Sequence, residues 1–369
     1  MIKILFFIPD LSVGGAEKVL VNLVNNMSRD KYDITVQTLF AGGVNEQFLK
    51  DDIKYKYCFK KVFRGNSQIL KMLSPEKLYK KFIKEHYDII VSYLEGTAAR
   101  IVAGCNDKST KLVSWIHGQQ DNIQKASYAF KNADEAKKCY EKFDNTVCVS
   151  EFVKNDFKSI FDFKGHIDVL YNTNETEDIL RMSDEKLNIE FDKSKVNICV
   201  VGKITKQKGC DRIVHIQKKL IDDGFNTQIY FLGTGPDEQF VEEYIENNKI
   251  KNSVKMLGYQ TNPYKYVKNC DLFVCGSHGE GFSTAATEAL IVGTPVVTVD
   301  VSGMKEMLGK NNEYGIVTEN SEEALYEGIK TMLTTNGMIQ GYTEKAIERG
   351  QAFSTDKTVK AVEDMFERL

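Results

Sequence analysis

The sequence predicts an α/β protein made of two doubly wound, Rossmann-like domains that face each other across a cleft. Three observations lead there. Short apolar runs alternate with helical patterns from Ile2 to Leu170, a polar, acid-rich segment breaks the pattern between Asn172 and Lys195, and a second alternation begins at Val196. Strands this apolar describe parallel sheets covered by helices on both faces. A chain of 369 residues is long enough for two such cores, and 42% hydrophobic with 27% charged residues is the composition of a folded protein.

Taken in order, Ile2–Ile8 is a strand, Pro9–Gly14 a loop, and Gly15–Met27 an amphipathic helix. Further strands are expected at Tyr32–Leu39, Ile89–Tyr93, Lys111–Trp115, Asn145–Val149 and Ile167–Leu170. The second series runs Val196–Val201, Gln228–Leu232, Val254–Leu257, Leu272–Cys275, Pro295–Val299 and Gly315–Val317, followed only by helical patterns. The predicted organisation is therefore a first domain at 1–171, a connection at 172–195 and a second domain at 196–353. The C-terminal helix, about 354–369, is a candidate to pack back on the first domain.

Composition excludes several classes. A net charge of −3 gives no electrostatic argument for nucleic acid. Eight scattered cysteines form no CxxC pair and several fall in predicted strands, which points to a reducing compartment and no structural zinc. The apolar run at the start ends at Pro9-Asp10, too short for a signal peptide, and no run approaches the roughly 20 apolar residues that span a bilayer. The expectation is a cytoplasmic chain, at most peripheral at the inner face of the membrane. The stretch Lys54–Lys84 bears on that contact: it carries ten basic residues against the single acid Glu76, with Tyr55, Tyr57, Phe59, Phe63, Tyr79 and Phe82 interleaved. It suits an anionic lipid surface or a lipid-phosphate acceptor, or else forms a solvated face.

The run Glu280-Gly281-Phe282-Ser283-Thr284-Ala285-Ala286-Thr287-Glu288 carries the most chemistry. It follows an apolar strand and opens a helix that ends at Gly293, with Ser283 as N-cap. Glu280 then lies in the loop before the helix and Glu288 one to two turns inside it. The amides of Gly281, Phe282, Ser283 and Thr284, at the positive end of the helix dipole, form an anion site between two carboxylates. A ligand with hydroxyls at both ends and phosphates between them, such as a nucleotide sugar, suits that arrangement. Lys203 and Lys208 flank the turn after the first strand of the second domain, where they either converge on a diphosphate or form a solvated basic turn. Gly14 and Gly15 open the first helix, and either allow close approach of a ligand or simply make a tight turn. Gly258 and Tyr259 end a strand and either hold a base edge or turn the chain. His117, beside Gly118 at a strand tip, is either a structural histidine or one placed to reach the cleft. Asn172 either lines the cleft or caps a turn.

Together these pieces resemble glycosyltransferase family 4, the retaining, nucleotide-sugar-dependent enzymes of GT-B fold. Gly14-Gly15-Ala16-Glu17 resembles the family's N-terminal glycine loop, Val147–Glu151 its serine-ended strand, and His117-Gly118 the histidine near the sugar. Gly202-Lys203 with Lys208-Gly209 resembles the diphosphate-binding pair, with Lys203 in place of the usual arginine, and Glu280 and Glu288 resemble the paired glutamates. The resemblance implies that Glu288 accepts hydrogen bonds from the ribose, Glu280 holds the donor sugar, and Lys203, Lys208 and the amides of residues 281–283 neutralise the leaving diphosphate. It implies that His117 meets the sugar or the acceptor, and that Asn172 lies on the acceptor side. No metal or cofactor is expected. The implied substrates are a nucleotide sugar, most simply UDP-linked, and a glycan or lipid-linked acceptor for cell-surface polysaccharide. Two other readings share the architecture: a UDP-sugar 2-epimerase, and a non-catalytic nucleotide-sugar-binding partner subunit.

Overall fold

Seven strands form the first sheet: β1 (Ile2–Ile8), β2 (Tyr32–Phe40), β3 (Lys54–Phe59), β4 (Ile89–Ser92), β5 (Lys111–Ile116), β6 (Asn145–Cys148) and β7 (Ile167–Val169). All pairings are parallel, in the order β3-β2-β1-β4-β5-β6-β7. The second sheet is likewise parallel, with β8 (Val196–Val201), β9 (Thr227–Leu232), β10 (Val254–Met256), β11 (Leu272–Cys275), β12 (Val296–Val299) and β13 (Ile316–Thr318) in the order β10-β9-β8-β11-β12-β13. In each sheet the winding reverses beside the first strand, between β1 and β4 and between β8 and β11. Doubly wound sheets bind ligands outside the carboxyl ends of the strands at such switch points.

The computed structural model describes residues 1–12, 14–120 and 122–369, which divide into a unit of Met1–Asn174 with Thr355–Leu369 and a unit of Glu175–Ser354. Central strands are buried along nearly their whole length, as β1, β4, β9 and β11 show. The helix Thr355–Glu367 belongs to the first unit: Phe366 packs edge-on against Phe6 and Tyr32, and Glu363 accepts the Ser28 amide at 2.7 Å.

Two elements differ from the sequence reading. The stretch from Lys54 opens with a strand, β3, at the edge of the first sheet, and none of its residues is fully buried. An edge strand with lysines outward lacks the apolar run by which its neighbours are recognised, although the alternation Lys54-Tyr55-Lys56-Tyr57 is a period-2 signal. The segment read as a connection contains the helix Thr176–Ser183, and residues 175–195 group with the second unit. Ile179 anchors it against Tyr264 and Ile291. A single apolar stripe of Ile179 and Met182 was hidden by the acids around it.

Candidate functional site

At the switch point of the second unit the loops that follow β8 and β11 touch. Gly209 sits at φ +71°, and a Cβ there would lie 2.0 Å from the carbonyl oxygen of Gly276, so any larger residue would force the loops apart. Lys208 ends a 3-10 turn (Lys206–Lys208) whose N-cap, Thr205, accepts the Lys208 amide at 3.3 Å. Its Nζ reaches both oxygens of Glu280, at 2.7 and 2.8 Å. Ser277 Oγ donates to Oε1 of the same carboxylate at 2.6 Å. The Glu280 side chain is only 10% exposed while that of Lys208 is 40% exposed, so the lysine shields a nearly buried carboxylate and keeps one side open to solvent.

The chain then enters the helix Thr284–Ile291, with Ser283 Oγ accepting the Ala286 amide at 3.4 Å as its N-cap. Phe282 is buried against Phe353, which fixes the backbone just ahead of the helix dipole. Glu288 lies inside the helix, 7% exposed, and accepts from the Tyr264 hydroxyl at 3.3 Å. A buried carboxylate is costly unless it is hydrogen-bonded, which makes Glu288 and Tyr264 one unit. Lys203 is exposed at the tip of β8. Gly202, Gly233 and Gly258 follow adjacent strands and lie side by side: Gly233 donates to Gly258 at 2.8 Å, and at φ +146° a Cβ on it would strike the Gly202 carbonyl at 1.9 Å. Tyr259, next to them, is 66% exposed.

In the first unit His117 follows β5 directly. Its ring packs on Tyr93 and lies nearly parallel to the ring of Trp115. Burial depresses its pKa to about 3, against the opposing effect of a hydrogen bond to the Tyr93 backbone. The residue is partly exposed, yet Nε2 is closed off from water and has no hydrogen-bond partner among the described residues. The imidazole is therefore neutral at physiological pH, with one ring nitrogen lacking a protein partner. Glu95, beyond β4, holds this strand end: it accepts the His117 amide at 3.1 Å and the Gln120 side chain at 3.3 Å. Burial raises the Glu95 pKa, and Glu17 and Asp10, whose loop and helix include Gly14 and Gly15, share the same acidic corner. Asn172 is buried three residues past β7.

The structure thus brings Lys208 and Glu280 into contact and sets Glu288 in the following helix. Sequence reasoning missed Ser277, Tyr264 and Glu95. Ser277 and Glu95 sit just past strand ends, where position alone was a signal; nothing local marks Tyr264. Among the described residues no three His, Cys, Asp or Glu side chains gather into a metal-binding group, and no helix is long and apolar enough to cross a membrane.

Comparison with known proteins agrees with this architecture. A family model described as "Glycosyltransferase Family 4" matches residues 13–178, and one described as "Glycosyl transferases group 1" matches residues 183–352. The chain belongs to the family 4 glycosyltransferases and has the GT-B fold. Among its relatives is the N-acetylgalactosamine-N,N'-diacetylbacillosaminyl-diphospho-undecaprenol 4-alpha-N-acetylgalactosaminyltransferase of Campylobacter jejuni, 25% identical over 98% of each chain. The poly(glycerol-phosphate) alpha-glucosyltransferase of Bacillus subtilis is 24% identical over 57% of this chain and 31% of its own. Among solved structures, Anabaena HepE in complex with UDP superposes with a TM-score of 0.77 at 18% identity, covering all of both chains.

Proposed function

We propose that this glycosyltransferase is a retaining enzyme that moves a hexose or N-acetylhexosamine from a UDP-sugar to a glycan or lipid-linked acceptor in cell-surface polysaccharide synthesis. The observation that carries the reading is the Lys208–Glu280–Ser277 cluster at the switch point, beside the N-terminus of the helix that holds Glu288. Glu288 accepts from the ribose hydroxyls and Glu280 from hydroxyls of the sugar. Lys203, Lys208 and the amides of residues 281–283 take the charge that develops on the diphosphate, electrostatic stabilisation that needs no metal. The bond from the sugar's anomeric carbon to the phosphate oxygen breaks. The acceptor oxygen bonds to that carbon on the same face, and its proton passes to the departing phosphate. His117, neutral, meets the sugar or acceptor through the partly exposed part of the residue, its Nε2 being closed off, and Asn172 lies on the acceptor side. The lipid-linked acceptor named for the Campylobacter relative and the UDP bound in HepE support the two substrate classes.

A thermal-shift panel of UDP-, GDP- and ADP-sugars tests the donor. A ligand at about 100 times its Kd adds roughly 2.7 kcal/mol, so the UDP-sugars should raise Tm and the others should not. Stabilisation by GDP- or ADP-sugars alone would overturn the UDP assignment. Incubation with donor alone separates the 2-epimerase reading, which gives an epimerised sugar, from transfer, which does not. Turnover by the purified chain excludes the role of non-catalytic subunit.

We also infer a peripheral contact with anionic lipid at the inner face of the membrane. Within Lys54–Lys84, Lys54 pairs with Asp33 and Lys56 with Glu85, so these two are internally neutralised. Lys60, Lys61, Arg64, Lys77, Lys80 and Lys81 are exposed, beside the exposed apolar side chains of Val62, Ile69 and Met72. Each charge near an anionic surface contributes about 1 kcal/mol. Cosedimentation with phosphatidylserine-containing vesicles should succeed at low salt, fail near 1 M salt, and weaken when Lys77, Lys80 and Lys81 are changed together to Glu. Absence of binding at low salt would refute this contact.

A further inference from the structure

We propose that Arg212 is a positioning residue of the nucleotide site, latching the segment Gly276–Glu280 onto the Lys208 loop through the ring of His278. Arg212 lies in the first turn of the helix Cys210–Asp222 and is 6% exposed. One terminal nitrogen donates to Asn320 Oδ1 at 2.8 Å, and the other lies 2.6 Å from Nδ1 of His278. Neither hydrogen-bond partner is a carboxylate; Asp211 and Glu322 act on the guanidinium only through space. A cation buried at the positive end of a helix, held by neutral acceptors, is a poor choice for stability alone. Its geometry does something more specific.

A guanidinium has no lone pair, so the ring nitrogen that meets it must be an acceptor and His278 must be neutral. Burial and the neighbouring Arg212 both lower the His278 pKa; Lys206 acts in the same sense and Asp211 opposes them. The backbone of His278 is pinned as well. Its N–H donates to the Gln207 carbonyl at 2.9 Å, and its carbonyl accepts from Asn320 Nδ2 at 3.5 Å. Gly276 lies against the Arg212 stem, since a Cβ there would come within 3.3 Å of Cδ. Arg212 therefore contacts both sides of Ser277, whose hydroxyl orients Glu280 two residues past His278. The latch sets the Glu280 loop against the turn that carries Lys208, without touching the ion pair itself. Preorganisation of this kind acts on ligand affinity through the supporting shell.

The proposal rests on the nucleotide-site reading above, and its test separates the two. Hydrogen–deuterium exchange of the amides of residues 276–283 is measured at one pH in the wild type, Arg212→Met, Arg212→Lys and Asn320→Ala; UDP affinity and, with donor, KM and kcat are measured alongside. Arg212→Met should speed exchange selectively in 276–283 and weaken UDP binding about tenfold or more, the size of one lost charged hydrogen bond. KM should rise more than kcat falls. Arg212→Lys should recover part of both effects, and Asn320→Ala, a change at an exposed residue, should give a smaller shift in the same direction. The His278 ring resonance, assigned by its loss in His278→Gln, should titrate below the ordinary histidine range in the wild type and move up in Arg212→Met. Unchanged exchange in 276–283, or an increase spread evenly over the second unit, would overturn the latch. If the wild type does not bind UDP, the donor reading fails, and the exchange and titration data still decide the latch.

Discussion

Lys208 and Glu280 are 72 positions apart, yet the fold closes them into a bidentate ion pair. Each stands out in its own local motif; their partnership does not, because it depends on which strands become neighbours. That partnership alters what a mutation does. Lys208→Ala should abolish most turnover and also lower stability by on the order of 1–2 kcal/mol, because a nearly buried carboxylate loses its cation while the exposed lysine limits the effect. Adding Glu280→Gln should restore stability in urea melts without restoring turnover; unchanged stability in the single variant would mean that the pair contributes nothing to the fold. Glu288→Ala should raise the Kd for UDP about 10- to 100-fold, from the 1.5–3 kcal/mol of a charged hydrogen bond. Calorimetry that finds wild-type affinity would remove Glu288 from the ribose. His117 gives a pH signature. Its folded pKa of about 3 lies below the ordinary histidine value near 6.5, so the unfolded chain binds the extra proton between those limits. Stability from this group is complete above about pH 6.5 and is lost as pH falls toward 3. The drop in unfolding free energy from pH 7.5 to 5 should be smaller in His117→Phe than in the wild type; equal drops would mean the ring is not held neutral.

Among elements, the loops after β8 and β11 form the candidate site, and Gly209 is what lets them meet. Gly209→Ala combines a positive φ with a 2.0 Å clash against backbone, so it should lower Tm and turnover together. Retention of both would show that the loops can separate without harm. The helix Thr284–Ile291 was readable from its cap, its dipole position and the glycine after it, and it forms where those signals put it. β3 and the helix Thr176–Ser183 were not read, for the same physical reason. Each is an outer element with a narrow apolar face, so charge dominates its composition.

For the whole molecule, the double alternation of strands and helices carried the architecture, because parallel strands buried on both faces leave an unmistakable apolar pattern. Strand order cannot be read that way, and it is strand order that creates the two switch points and brings Ser277, Glu280 and Lys208 together. Family membership places the chemistry in glycosyl transfer; the roles proposed for the lysines, amides and carboxylates of the second unit give the diphosphate a way to leave. Metal independence follows from that account: excess EDTA should leave turnover intact, and a loss restored by Mg²⁺ would contradict it. The most direct test of the central claim is the anomeric configuration of the product, read by NMR after the purified chain is given a UDP-α-hexose or UDP-α-N-acetylhexosamine and a lipid-diphosphate-linked glycan. The account predicts stoichiometric UDP release and an α-linkage; a β-linked product, or an epimerised sugar without transfer, would contradict it.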